Sequence, residues 1–374
     1  MPLNQNLNSL KRSQIRVFTN LARETPGCAM LTIGEPDLDT PEPIKQAAMD
    51  ALAANQTHYA PNQGTAALRQ AIAAFETSRG KPTAPEQVLV TVGACQALFT
   101  ALLGILNPGE EVIIPTPGFV LYETIAAIAG ARAVPLDLTK TNFQITKEAL
   151  DPLITEKTKA ILINSPCNPT GVIFNPDSLA AVKEAVQGKP IFLICDNVYQ
   201  SLSYGDCPDI SCDPDLQDQM ILCQSFSKPW AMTGWRIGYL TCPDYVMDRL
   251  LLLSAATITA VPTFLQEAAI TALNTPVEPM REIYRKRRDY VCGRLKAMGL
   301  SFPEPEGAFY VFVNIAKFGL DSATFCTRMI REGKLAAVPG GCFGAEGYIR
   351  LSYCYSEEEL KTGLDRLEAF IATL

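Results

Sequence analysis

The chain has 374 residues, 48% of them hydrophobic and 19% charged, with a formal net charge of −7. That length suits two intimately packed domains rather than one small core, no apolar run approaches the roughly 20 residues of a membrane span, and the acidic balance lacks the basic face a nucleic-acid partner needs. A single histidine, His58, and twelve cysteines without a C-x-x-C pair exclude a histidine-rich zinc site and any histidine-based nucleophilic triad not built on that one residue.

Taken from the start, MPLNQNLNSLKRSQ lacks the apolar stretch of a signal peptide, so a cytoplasmic protein is expected. The segment LTIGEPDLDTP (31–41) is followed by YAPNQG (59–64), which carries Tyr59 beside His58. Apolar strand-like runs then recur at 88–92, 111–115, 160–164, 190–195, 220–224 and 237–241, alternating with helical stretches. Such alternation predicts an α/β fold with a mostly parallel sheet covered by helices on both faces. Gly93-Ala94-Cys95 opens a helix directly after the first run. A turn of that kind is often plain connection, yet its free N–H groups and positive dipole end suit a phosphate.

Asp196 ends the run Ile191–Cys195, where a carboxylate is either a cap or turn residue or the partner of a buried cation. Lys228 lies just past the run Met220–Gln224, in SFSKPWAMTGWRIGY. A lysine where a core strand ends is costly as a full ammonium; either it snorkels to water, with Arg236 in a surface ion pair, or condensation with an aldehyde removes the cost. Hydroxyls from Ser225 and Ser227 and the guanidinium fork of Arg236 complete a pocket for a phosphorylated aldehyde, with pyridoxal phosphate the candidate. Further on, 279–298 has helical periodicity, and its basic run Arg285-Lys286-Arg287-Arg288 is read with Glu282 and Asp289 as a solvated face. GAFYVFVNI predicts a strand, and SEEELKTGLDRLEAFIATL a closing amphipathic helix.

The lysine segment resembles that of the class I aminotransferases, fold-type-I enzymes that use pyridoxal phosphate. LTIGEPDLDTP, YAPNQG, VGACQAL (92–98), NSPCNPTG (164–171), DNVYQ (196–200) and RLSY (350–353) appear in the family's order, so the resemblance spans nearly the whole chain. It implies a large domain at 45–275 with a mostly parallel seven-stranded sheet, and a smaller α+β domain built from 276–374 joined by 1–44. It also implies that Lys228 holds the cofactor and that Asp196 pairs with its pyridinium nitrogen. Tyr199 and Asn168 would reach the ring's phenolic oxygen, and Phe119 would stack on the ring where relatives place tryptophan or tyrosine. Gly93, the amides of Ala94 and Cys95, Ser225, Ser227 and Arg236 would hold the phosphate. Arg350, Asn168 and the backbone of Gly34 would meet the substrate's α-carboxylate.

The same resemblance implies a homodimer in which Tyr59 reaches the neighbouring subunit's phosphate. The stretch Ser13–Phe18 would fold over the entrance, with Arg16 a candidate for side-chain recognition. The expected reaction is ping-pong transfer of an amino group from an L-amino acid, glutamate foremost, to a 2-oxo acid. Within the family the chain most resembles bacterial enzymes that transaminate N-acetyl-diaminopimelate in lysine synthesis, with aspartate- and aromatic-specific enzymes close behind. A carbon–sulfur β-lyase is the alternative on the same fold, although Asp196-Asn197-Val198-Tyr199 departs from the lyases' Asp-Glu-Ile-His. A transcriptional regulator borrowing this fold would carry a DNA-binding module ahead of it, and the first landmark begins at residue 31.

Overall fold

The computed structural model describes Asn6, Asn8, Leu10 and residues 14–374. Its centre is a seven-stranded sheet of β1 (Val88–Thr91), β2 (Glu111–Thr116), β3 (Arg132–Asp137), β4 (Thr158–Asn164), β5 (Phe192–Asp196), β6 (Met220–Ser225) and β7 (Gly238–Thr241), in spatial order β1-β7-β6-β5-β4-β2-β3. The expected α/β class and mostly parallel sheet are therefore present. Only β7 runs against its neighbours β1 and β6; two reversals restore the direction, so β1 points the same way as the parallel strands.

The side-chain alternation explains why the strands read as continuous apolar runs. Val112, Ile114, Leu162, Ile194, Ile221 and Cys223 enter one core, while Ile113, Ile161, Ile163, Leu193, Cys195 and Leu222 enter the other. Successive residues face opposite sides, and here both sides are dry. The strand β3 escaped the apolar-run criterion because it is an edge, with Arg132, Pro135 and Asp137 exposed.

A second sheet of three strands, β8 (Tyr310–Asn314), β9 (Val338–Pro339) and β10 (Tyr348–Ser352), is antiparallel in the order β9-β10-β8. The chain's N-terminal region packs with it: Phe18 and Ala22 of helix α1 (Gln14–Arg23) and Leu31 share a core with Phe325, Leu335 and Leu364, and Ala29-Met30 pairs in parallel with Leu335-Ala336. Two helices follow the sheet ends that matter below, α2 (Gly93–Ile105) and α3 (Leu121–Ile128).

Helix α4 (Glu278–Ala297) matches the expected periodic segment, but its basic run is not wholly a solvated face. Arg285 and Lys286 are exposed. Arg287 is buried and pairs in a fork with Asp37 at 2.6 and 2.8 Å, and the Arg288 guanidinium sits 4.8 Å from the Tyr204 ring centroid. A helix turns about 100° per residue, so four consecutive cations cannot all face water. Helix α5 (Glu357–Ile371) starts with a reciprocal Ser356/Glu359 capping box. All twelve cysteines are free, with Cys195 and Cys223 buried in their strands. Among the described residues no helix is long and apolar enough to cross a membrane.

Candidate active site

The carboxyl ends of the parallel strands lie side by side, with Asn164 registered on Asp196 and Asp196 on Cys223. In open α/β sheets this edge is where ligands bind, because the chain leaves each strand there toward a helix on one face or the other. A cavity of about 280 Å³ opens at that edge.

Its floor is Asp196, the last residue of β5. Oδ2 accepts the Tyr122 hydroxyl at 2.6 Å and Oδ1 accepts the Val198 N–H at 3.3 Å. Burial pushes the carboxyl up to about 6 despite both donors, and no cation is among the groups that set it. One wall is the turn between β1 and α2. Gly93 has φ +70°, and a Cβ there would lie 2.8 Å from Arg236 Nη2; only glycine lets that guanidinium sit over the helix N-terminus. Ser225 ends β6 and its Oγ accepts the Ser227 N–H at 3.1 Å. The loop beyond is strained, with Ala231 at φ +50° and Arg236 at φ +53°, a conformation non-glycine residues hold where the surroundings impose it.

Lys228 projects from this loop. Its Nζ donates to the Gly34 carbonyl at 2.5 Å and lies 5.7 Å from the Phe309 ring centroid. Burial holds the amine below the ordinary lysine range, with weaker opposition from Cys354 and Glu35. Arg350, 3% exposed, lines the same cavity. Its Nη1 donates to Asn168 Oδ1 at 2.8 Å and its Nη2 to the Thr32 carbonyl at 2.5 Å, while its buried Nε has no partner among the described residues. The guanidinium stands 4.4 Å over the Tyr310 ring. Tyr310 and Tyr199 meet hydroxyl to hydroxyl at 2.9 Å, and burial raises both, Tyr310 to about 12.

Most residues singled out from the sequence thus converge. Ala94, Cys95, Phe119, Asp196, Ser225, Ser227 and Arg236 line the cavity, as do Gly34, Asn168, Tyr199, Lys228 and Arg350. Gly93 lies beneath Arg236 instead of on the lining. Tyr59 is elsewhere: it is 91% exposed and outside the cavity. Arg16 is exposed and not on the lining either, whereas its neighbour Ile15 is; Ser13 lies outside the described residues.

Sequence reading missed Tyr122, Asn164, Tyr310 and Thr32. Asn164 donates to the Asp196 carbonyl at 2.8 Å and accepts the Asn168 N–H at 2.9 Å, so it ties two strand ends together. A signal existed for Tyr122: it follows Phe119 by three residues at a helix start, a spacing that puts both on one side, and the rings do meet edge to face at 5.8 Å. None existed for Tyr310, which reads as one more apolar strand residue.

The Aminotransferase class I and II family model matches residues 26–367. The chain belongs to that family. It is 37% identical to a probable N-acetyl-LL-diaminopimelate aminotransferase of Bacillus subtilis, covering 99% of this chain and 95% of that one. It is also 37% identical to aromatic-amino-acid aminotransferase 2 of Thermococcus litoralis, with 98% of each chain covered. The solved aspartate aminotransferase of Thermotoga maritima superposes with a TM-score of 0.95 at 36% identity, over 99% of this chain and 100% of that one.

This aminotransferase is a pyridoxal-phosphate enzyme of the fold-type-I group. The donor set of the cavity fits that cofactor on three counts. A buried carboxylate without a cationic partner among the described residues suits a pyridinium nitrogen. A glycine turn, two serine hydroxyls and an arginine at a helix start suit a phosphate. A lysine amine depressed by burial suits an aldehyde.

Proposed function

We propose that the aminotransferase moves an amino group from glutamate to a 2-oxo acid in a ping-pong cycle, with N-acetyl-diaminopimelate as the physiological substrate on the other half. The observation that carries the reading is the segment Thr32–Gly34. The Arg350 guanidinium is held on the Thr32 carbonyl and the Lys228 amine on the Gly34 carbonyl, each at 2.5 Å. One short stretch of backbone therefore holds a guanidinium and an amine on the lining of one cavity, a fork for a substrate's carboxylate together with an amine for the proton on its α-carbon.

Bound pyridoxal phosphate supplies an aldehyde and an electron-withdrawing ring. Lys228 would hold the aldehyde at rest, and its freed Nζ would take the substrate's α-proton and deliver it to the former aldehyde carbon. Asp196 would keep the ring nitrogen protonated, Tyr199 and Asn168 would donate to the ring oxygen, and Phe119 would lie on the ring face. Gly93, Ala94, Cys95, Ser225, Ser227 and Arg236 would hold the phosphate. Arg350, Asn168 and Gly34 would orient the substrate carboxylate.

The reading takes 45–275 as the cofactor-binding domain and 1–44 with 276–374 as the smaller one, in a cytoplasmic homodimer. Exposed Tyr59 would then reach the neighbouring subunit's phosphate. The apolar lining residues Ile15 and Ile33 favour a second reading of the substrate, an aromatic amino acid.

The test is the visible spectrum of the purified holoenzyme as amino donors are added singly. Loss of the resting band with glutamate and its return with 2-oxoglutarate is expected, and the full cycle with the oxo form of N-acetyl-diaminopimelate should run fastest. A band that no donor changes, or pyruvate and ammonia released from a cysteine conjugate, would replace amino transfer with binding alone or with β-elimination. Faster turnover of phenylalanine or tyrosine would select the aromatic reading.

A further inference from the structure

The hydroxyls of Tyr199 and Tyr310 form an isolated pair. They lie 2.9 Å apart, both side chains are buried, and each is the other's only hydrogen-bond partner among the described residues. Two hydroxyls joined in this way use one proton between them and leave the second uncommitted. Which tyrosine keeps the free proton depends on what surrounds each ring.

Tyr310 is closed in. Gly34 stands so near that a Cβ on it would lie 1.8 Å from the Tyr310 hydroxyl, and the Arg350 guanidinium covers the ring at 4.4 Å. The Phe309 ring packs on it at 4.9 Å. A cation over a phenol ring draws electron density from the oxygen and makes its O–H the better donor. Only a glycine at 34 lets the Tyr310 hydroxyl sit this close to that backbone. Tyr199 follows Asp196 by three residues, meets the Tyr310 ring edge-on at 80° and lines the cavity.

We propose that Tyr310 is a positioning residue that donates its hydroxyl proton to Tyr199, and thereby commits the Tyr199 proton to the cavity, where the ring oxygen of the bound cofactor accepts it. The inference rests on the role given to Tyr199 under the proposed function. It makes Arg350 serve twice, once on the substrate and once through the Tyr310 ring.

The test is the pH dependence of the holoenzyme's visible band in wild type, Tyr199→Phe, Tyr310→Phe and the double variant. Phenylalanine at 310 keeps the ring that packs on Phe309 and beneath Arg350, so only the hydroxyl is lost. A hydrogen bond to a ring oxygen spreads its negative charge and weakens its hold on a neighbouring proton, so Tyr199→Phe should raise the midpoint. Tyr310→Phe should raise it by about 10–30% of that shift, the strengthening one hydrogen bond lends the next in a chain. It should add nothing in the Tyr199→Phe background. An unmoved midpoint in Tyr310→Phe, or the same shift with and without Tyr199, would leave Tyr310 as packing only. An unmoved midpoint in Tyr199→Phe would overturn the role of Tyr199 itself, and this inference with it.

Discussion

Tyr122 and Asp196 share a 2.6 Å hydrogen bond at the bottom of the cavity, with the tyrosine 2% exposed. The tyrosine O–H occupies one carboxylate oxygen and the Val198 N–H the other, so the carboxylate cannot rotate away from the position it offers a ligand. A hydrogen bond to a buried charged acceptor is worth roughly 1.5–3 kcal/mol. Tyr122→Phe should therefore weaken cofactor binding about 10- to 100-fold, measured as the dissociation constant for pyridoxal phosphate, with little change in secondary structure.

The carboxyl of Asp196 is raised to about 6 from 3.8, so its folded form binds a proton more tightly than its unfolded form. The stability this contributes is full below about pH 3.8 and is lost as pH rises through about 6. Asp196→Asn removes that loss. In the cofactor-free protein the variant should be the more stable at pH 7.5, by on the order of 1–3 kcal/mol, with the gap closing by pH 4–5. Thermal unfolding across that range decides it. Activity should move the opposite way, falling at least about 100-fold, because a bound pyridinium loses its counter-ion.

Lys228→Ala removes the amine that reaches Gly34. Turnover should fall by at least about 10³-fold, within the range a positioned acid–base group supplies. Near-normal amino transfer in this variant would sink the scheme.

Arg350→Lys keeps the charge and loses the fork. The arginine holds Asn168 and Thr32 with separate nitrogens, and a lysine ammonium cannot span both. A loss of about 30-fold in kcat/KM is expected for α-amino acids, corresponding to roughly 2 kcal/mol. The corresponding amines without a carboxylate should lose far less, and that contrast is the measurement.

Arg287 and Arg285, two residues apart in α4, should differ in their weight. Arg287→Ala leaves Asp37 without its buried partner and should destabilise the fold by about 2–4 kcal/mol. Arg285→Ala breaks an exposed i,i+3 pair with Glu282 and should cost under about 0.5 kcal/mol. Parallel denaturant titrations separate them.

Six of the seven strands of the large sheet were legible in the sequence, since strands buried on both faces carry unbroken apolar runs, and Lys228, Asp196 and the Gly93 turn could be placed at strand ends. Those are local signals: a charge, a small residue or a breaker directly after a strand. It did not reveal β3, whose edge position leaves polar residues exposed, nor the inward faces of Arg287 and Arg288 within a uniformly basic run. Tertiary structure alone decided that Thr32 and Gly34 meet Arg350 and Lys228, that Tyr122 reaches Asp196, and that Tyr310 reaches Tyr199. Each of those contacts joins segments far apart in the chain, and the residue types involved, a tyrosine in a helix or a strand, serve equally well as plain core. Only the packing of the two sheets around one cavity turns them toward it.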